Sequence, residues 1–453
     1  MPHPSAAAPS PGPAGIRRSM PSRADVVVVG GGPAGATMAA LLARDGHDVV
    51  LLEKDRHPRF HIGESLLPHN MKIIRRLGLD ERLATIGVYK PGADFTADSV
   101  PEQRHEIRFD EALDVPEGCG HAWQVRRSEF DRMLFEHAGD CGAQTFVETH
   151  VKAIDFDGKA PLLTVQQGDS THRLAAKFVV DASGRDALLA RRFSLQERNR
   201  EHATAALYGH FRNVPRRAGA ASGNISIYWF RHGWIWMIPL SGEIMSVGAV
   251  CNPDYLRGRD RDVEDFFFDT LALNPHAAER MQSAERVSPI TATGNYSYFT
   301  RELMGPNWLL IGDAGMFVDP VFSSGVFFAM YSAEQGAEIV RAELAGERRA
   351  ARRARRNYRR RVHCGVRELC WFIYRFPAPA MRHLFLNPSN VFQLRQAVIS
   401  VLAGDLHDNP RVRRRLRLFR FIYMLLSLRY LREALRARRQ RLRNADLEFD
   451  RAT

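Results

Sequence analysis

A glycine-rich turn near the start of the chain carries the first recognisable chemistry. Gly30-Gly31-Gly32-Pro33-Ala34-Gly35 has GxGxxG spacing between a Val-rich run, Asp25–Gly30, and an Ala-rich helical pattern that reaches Ala43. Gly30 permits a tight turn and Gly32 lets the backbone approach a pyrophosphate. Gly35 lets the helix pack closely on the strand, and the helix N-terminus offers N–H groups and the positive end of its dipole. A second apolar strand, Asp48–Glu53, ends in an acid 21 residues after Gly32, where a carboxylate can hold a ribose hydroxyl. Strand, helix and spaced acid together predict a dinucleotide site built on Gly30, Gly32, Gly35 and Glu53.

Three further groups have residue types suited to chemistry. Only six of the 64 basic residues are lysines, at 54, 72, 90, 152, 159 and 177. Surface charge is therefore built from Arg, and each Lys is a candidate for what Arg cannot do. A desolvated amine can change protonation state, whereas a guanidinium stays charged. Trp234 and Trp236 lie two apart on an expected strand and share one face, as a core pair, a wall, or both. Ser323-Ser324-Gly325 offers consecutive backbone N–H groups, a nest for a small anion.

Two layers of resemblance attach to these residues. Arg127-x-x-Phe130-Asp131, Asp181-Ala182-Ser183-Gly184-Arg185 and Gly312-Asp313-Ala314 resemble motifs of the two-domain flavoproteins that include para-hydroxybenzoate hydroxylase. That likeness implies FAD, held by Arg127, Gly312 and Asp313. No second Gly-rich fingerprint for a nicotinamide cofactor is found, so the electrons are expected to arrive as FADH2 from a separate flavin reductase. Trp234-x-Trp236-x-Ile238-Pro239, Gly63-Glu64-Ser65-Leu66-Leu67-Pro68 and the loop Phe317–Gly325 resemble motifs of the flavin-dependent halogenases, in order over residues 24–345. In that family FADH2, O2 and chloride or bromide give hypohalous acid, which a lysine amine hydrogen-bonds or takes up as a haloamine. The resemblance implies Lys72 in that role, nine positions after Gly63. It implies Trp234 and Trp236 as the barrier between flavin and substrate, Ser324 and Gly325 as the halide site, and Ala34, Glu64 and Val326 as flavin contacts. Where tryptophan halogenases carry a Glu in this loop, the chain has Phe322. The pattern resembles instead the branch that halogenates phenols and pyrroles, rings whose own oxygen or nitrogen stabilises the cationic intermediate.

The elements that must position these residues imply an α/β fold. A Rossmann-like FAD-binding domain is interleaved with an antiparallel-sheet substrate domain and followed by a helical C-terminal segment. The expected divisions are a disordered tail over 1–23 with Met20 as a candidate start, a catalytic body over 24–345 with its substrate sheet around 204–300, and an Arg-rich helical region over 346–453. Five scattered cysteines without a CxxC give neither a disulfide framework nor a metal site, so a reducing, cytosolic setting is expected. The net charge of +13 is segregated: residues 348–443 carry +22 and the remainder −9. Within that segment Val412, Leu416, Phe419, Tyr423, Leu426 and Tyr430 form an apolar helix stripe among many Arg. The segment reads as a solvated helix packed on the body, as a dock for an acidic acyl or peptidyl carrier protein bearing the aromatic substrate, or as a peripheral contact at the inner membrane surface. Nucleic acid ranks last, because no recognition module accompanies the charge. The competing functions are an FAD-dependent monooxygenase or geranylgeranyl-reductase-like enzyme on the same fold, and a non-catalytic flavoprotein that binds carriers or membranes.

Overall fold

The computed structural model describes residues 19–446 apart from positions 296, 407 and 408; most of the expected N-terminal tail, 1–18, lies outside the described residues. Strand β1 (Arg23–Val29) enters the core as an almost uninterrupted Val run, turns at the glycines, and leads into α1 (Pro33–Arg44) and β2 (Val49–Leu52). Pro33 sits in the first turn of α1, where its missing N–H costs nothing. Then follow α2 (Pro68–Leu77), β3 (Gly87–Lys90), β4 (Gly92–Thr96), β5 (Arg104–Arg108), β6 (Ala122–Val125), α3 (Arg127–Asp140), β7 (Gln144–Phe146) and β8 (Ser170–Asp181).

β8, β1, β2 and β7 form one parallel sheet in that order, with Val29 beside Asp181 and Leu52 beside Phe146. The central strands β1, from Val26 on, and β2 are apolar and buried on both faces, as a parallel sheet requires, whereas the first half of β8 is polar and largely exposed. The Gly-rich turn and Asp181 thus lie together at the carboxyl ends of adjacent strands, where open α/β sheets bind ligands.

A second sheet contains β9 (Thr204–Arg212), β10 (Ile225–Phe230), β11 (Gly233–Leu240) and β12 (Ile244–Cys251). As expected, this sheet is antiparallel here: β10 and β11 form a hairpin with Trp229 opposite Trp234, and Trp236 lies opposite Gly248 of β12. The sheet extends beyond the expected region, because β4 pairs in parallel with β10 and β5 pairs with β4. The two sheets therefore interleave along the chain. β13 (Trp308–Leu310) returns to the first sheet beside β8.

The remainder is helical: α4 (Ser324–Leu344), α5 (Arg348–Ile373), α6 (Pro379–Leu386), α7 (Leu394–Leu402), α8 (Pro410–Arg429) and α9 (Leu431–Asp446). α4 and the first half of α5 pack mainly with α1 beside the first sheet, and the helices from the end of α5 onward close over the second. Phe372, Phe376 and Phe385 join Trp229, Trp234 and Phe322 in one apolar cluster that also takes in Val412, Leu416 and Phe419. The first half of the expected C-terminal stripe accordingly packs inward. No helix of the described residues is long and apolar enough to cross a membrane.

Candidate functional site

A cavity of about 520 Å³ runs between the two sheets. At one end lies the Gly-rich turn. Gly30 has φ +107°, and a Cβ there would lie 2.3 Å from the Ala182 carbonyl oxygen. A Cβ on Gly35 would lie 1.8 Å from the Gly30 oxygen, so Gly35 serves the close approach of α1 to the turn. Gly32 differs: a Cβ there meets only Arg59 Nη2, at 3.5 Å. The space over Gly32 belongs to the cavity, and a pyrophosphate fits it. Both carboxylate oxygens of Glu53 are engaged within the turn. Gly31 N–H donates to Oε2 at 2.7 Å, Asp55 N–H donates to Oε1 at 2.9 Å, and Arg59 Nη2 donates to Oε2 at 3.2 Å. Glu53 still lines the cavity, so it braces the turn while remaining on the cavity wall.

Arg59 escaped the sequence reading. Its guanidinium is 14% exposed, bridges Glu53 and Asp131, and overhangs Gly32, where it offers positive charge to a diphosphate. Replacing it with Ala is expected to raise the dissociation constant for FAD about tenfold without unfolding the protein. Fluorescence titration of the apoprotein measures this, and unchanged affinity would remove Arg59 from the site.

The middle of the cavity is bounded by Arg127, Asp313 and Glu64. Arg127 pairs with Asp131 at 2.8 Å and donates to the Ile62 carbonyl at 2.7 Å, holding the segment before Gly63 in place. Burial raises the Asp313 carboxyl to about 6 against the opposing pull of Arg185 and Arg127. Gly312 (φ +58°) abuts Ala34, where an added Cβ would approach the Ala34 Cβ to 3.1 Å. Glu64 Oε1 accepts from His210 Nε2 at 2.9 Å, while its buried Oε2 has no hydrogen-bond partner among the described residues. An open cradle over Gly32, an orphaned carboxylate oxygen at Glu64 and the overhanging Arg59 all fit a bound dinucleotide with polar groups along its length.

At the far end, Trp234 and Trp236 line the cavity with ring centroids 5.9 Å apart. Trp236 lies flat over Gly248, and its indole N–H donates to Ser246 Oγ at 3.2 Å. Both also belong to the apolar cluster, so they are core and wall together. Ser324, Gly325 and Val326 open the 21-residue helix α4, and Gly325 and Val326 reach the cavity. The first N–H groups of a helix lack intrahelical partners, which suits a small anion there. The preceding loop is fixed by Asp319, another residue not singled out from sequence. Its carboxylate accepts from Thr204 Oγ1 at 2.6 Å, His202 Nε2 at 3.0 Å and Val321 N–H at 3.0 Å. Burial alone would raise this carboxyl, but those hydrogen bonds hold it below the usual carboxylate range.

Lys72 does not join these groups. On α2 the buried positions are Pro68, Asn70, Met71, Ile73, Ile74 and Leu77, which leaves residue 72 on the exposed side and out of the cavity. The lysine brought to the site is Lys90. Glu64–Leu66 runs along β6, with Val125 N–H donating to the Glu64 oxygen at 2.7 Å and Leu66 N–H to the Trp123 oxygen at 3.0 Å. β6 pairs in turn with β3, which ends at Lys90. The Lys90 amine, 1% exposed, reaches back to Ser65 Oγ and the Leu66 oxygen, each at 2.8 Å, and Ser65 lines the cavity. Burial, with no carboxylate partner among the described residues, pulls its pKa down to about 7.

Residues 23–364 match the family described as FAD binding domain. The 1H-pyrrole-2-carbonyl (peptidyl-carrier protein) chlorinase of Pseudomonas fluorescens is 31% identical over 410 residues, covering 86% of this chain and 90% of that protein. Among solved structures, a flavoprotein/dehydrogenase from Cytophaga hutchinsonii superposes with a TM-score of 0.81 at 29% identity, over 90% of this chain and 99% of that one. The flavin-dependent brominase Bmp2 superposes with a TM-score of 0.76 at 28% identity, over 88% and 99%. The match over residues 23–364 and the 31% identity across most of both chains show that the chain belongs to the flavin-dependent halogenase family, on the FAD-binding-domain fold.

Proposed function

We propose that this FAD-dependent enzyme halogenates a phenol or pyrrole ring, free or tethered to an acyl or peptidyl carrier protein, and that Lys90 delivers the halogen. The carrying observation is a buried amine, without a carboxylate partner among the described residues, that hydrogen-bonds Ser65 on the cavity wall. Bound as FADH2, the flavin would activate O2, the oxidant that converts chloride or bromide to hypohalous acid. Lys90 as a neutral amine attacks the halogen of that acid: the N–X bond forms, the X–O bond breaks, and water leaves with an amine proton. Trp234 and Trp236 keep the aromatic ring from the flavin. Ser324 and Gly325 offer N–H groups to the halide.

The ring class is supported by Phe322, which lies against Phe376 and Phe385 with centroids 5.3 and 6.5 Å away. An apolar cluster occupies the position where a carboxylate would polarise the electrophile, so the substrate must supply its own activation. The carrier reading rests on the pyrrole chlorinase relative, whose substrate is carrier-bound. A separate flavin reductase supplies FADH2, in keeping with the single Gly-rich fingerprint.

A pH dependence follows from Lys90. The nucleophilic form is the free amine, populated above the depressed pKa of about 7 and lost below it. Single-turnover halogenation with pre-reduced FAD is therefore expected to rise about tenfold per pH unit below neutrality and level off above it. A rate that falls as pH rises through neutrality would assign the active form to the ammonium.

A further inference from the structure

The two last helices carry an outer face that neither the fold nor the reaction uses. Val412, Leu416 and Phe419 turn α8 inward, where Phe419 stacks on Phe372 at 5.7 Å. Arg420 pairs with Glu368 at 2.6 Å, and Arg441 of α9 donates to the Tyr374 carbonyl at 2.6 Å, fastening both helices to the body. Phe421 follows Val412 by nine residues, two and a half turns, and so points the opposite way. Phe421, Met424, Leu425 and Leu428 of α8 and Leu431 and Leu435 of α9 are each 43–62% exposed. Around them stand the exposed Arg414, Arg417, Arg429, Arg432, Arg436 and Arg439, and Glu433 is the one acid between 411 and 443.

We propose that this Arg-rimmed apolar face docks on the surface of an anionic phospholipid bilayer, with α8 and α9 lying in the interface. The apolar row gains by leaving water for the acyl boundary, and the arginines gain from anionic headgroups. A second copy of the chain is disfavoured, since apposing two such faces brings like charges together. A folded acidic partner would need pockets for its anchoring side chains, and the outer side of a helix is a convex ridge that offers none. None of the six apolar residues lines the FAD cavity, so docking leaves the catalytic machinery untouched.

The test is flotation of the full-length, FAD-loaded protein with vesicles of phosphatidylcholine alone or mixed with phosphatidylglycerol. The protein is expected to float with the phosphatidylglycerol vesicles only, and to be released by salt. Phe421→Ser with Leu428→Ser should weaken binding at least about tenfold. Arg429→Glu, Arg432→Glu and Arg436→Glu together should weaken it on the order of a hundredfold. Both variants should retain bound FAD and the turnover of a small free aromatic substrate. A single Phe421→Trp reporter should shift its emission to the blue on adding anionic vesicles, a readout that survives if the multiple variants fold poorly. Failure to float at low salt overturns the proposal, as does binding to an acidic carrier protein without vesicle binding. Binding that responds to the Arg changes but not to Phe421 and Leu428 also overturns it, because the apolar face would then be idle.

Discussion

Lys90→Met is expected to lower halogenation by at least about a thousandfold while FAD still binds. Met matches the length of the Lys stem and is apolar, so it suits a site that is 1% exposed, and the main loss is the amine. Hypohalous acid should still form and escape, where an added scavenger traps it. Lys72→Met, at an exposed helix position, should change turnover by no more than about twofold. The pair separates two placements of one chemistry. Product formation that survives in Lys90→Met and disappears in Lys72→Met would return the role to residue 72 and require α2 to rearrange.

Gly32→Val should abolish FAD binding, raising its dissociation constant at least about a hundredfold, with little loss of stability. The asymmetry among the turn glycines makes this specific. Side chains at Gly30 or Gly35 collide with the protein's own backbone, at 2.3 and 1.8 Å, and would damage the fold itself. At Gly32 an added carbon meets only the end of Arg59, so the group it displaces is the pyrophosphate. Thermal unfolding of the apoprotein together with flavin titration checks both halves. A folded Gly32→Val protein with wild-type FAD affinity would move the cofactor elsewhere.

The features legible in sequence were those set by local backbone demands. The Gly-rich turn, Glu53 and the hairpin carrying Trp234 and Trp236 each follow from chain neighbours: steric room at glycine, strand spacing, and period-two alternation. Lys90 was hidden because its setting is tertiary. It reaches Ser65 only through the pairing of β3 with β6 and of β6 with the 64–66 segment. Its scarcity among arginines marked it as one of six candidates, but distance along the chain from Gly63 pointed to Lys72. The helix pattern around 72 held a warning, since Met71, Ile73, Ile74 and Leu77 claim the buried side of α2. The parallel pairing of β4 with β10 was likewise beyond local pattern, because it joins residues more than a hundred positions apart. In α8 the stripe from Val412 to Phe419 packs inward, but the outward Phe421 and Leu428 were masked by it, since apolar residues occupy both faces of that half of the helix.

The most direct measurement supplies the purified protein with chemically reduced FAD, O2 and bromide, and analyses a panel of free and carrier-tethered phenols and pyrroles by mass spectrometry. The predicted result is a product that has replaced one hydrogen with bromine and shows bromine's paired isotope signal, formed without NADH or NADPH. A product carrying an added oxygen and no bromine, driven by NADPH with this chain alone, would contradict halogenation and identify a monooxygenase.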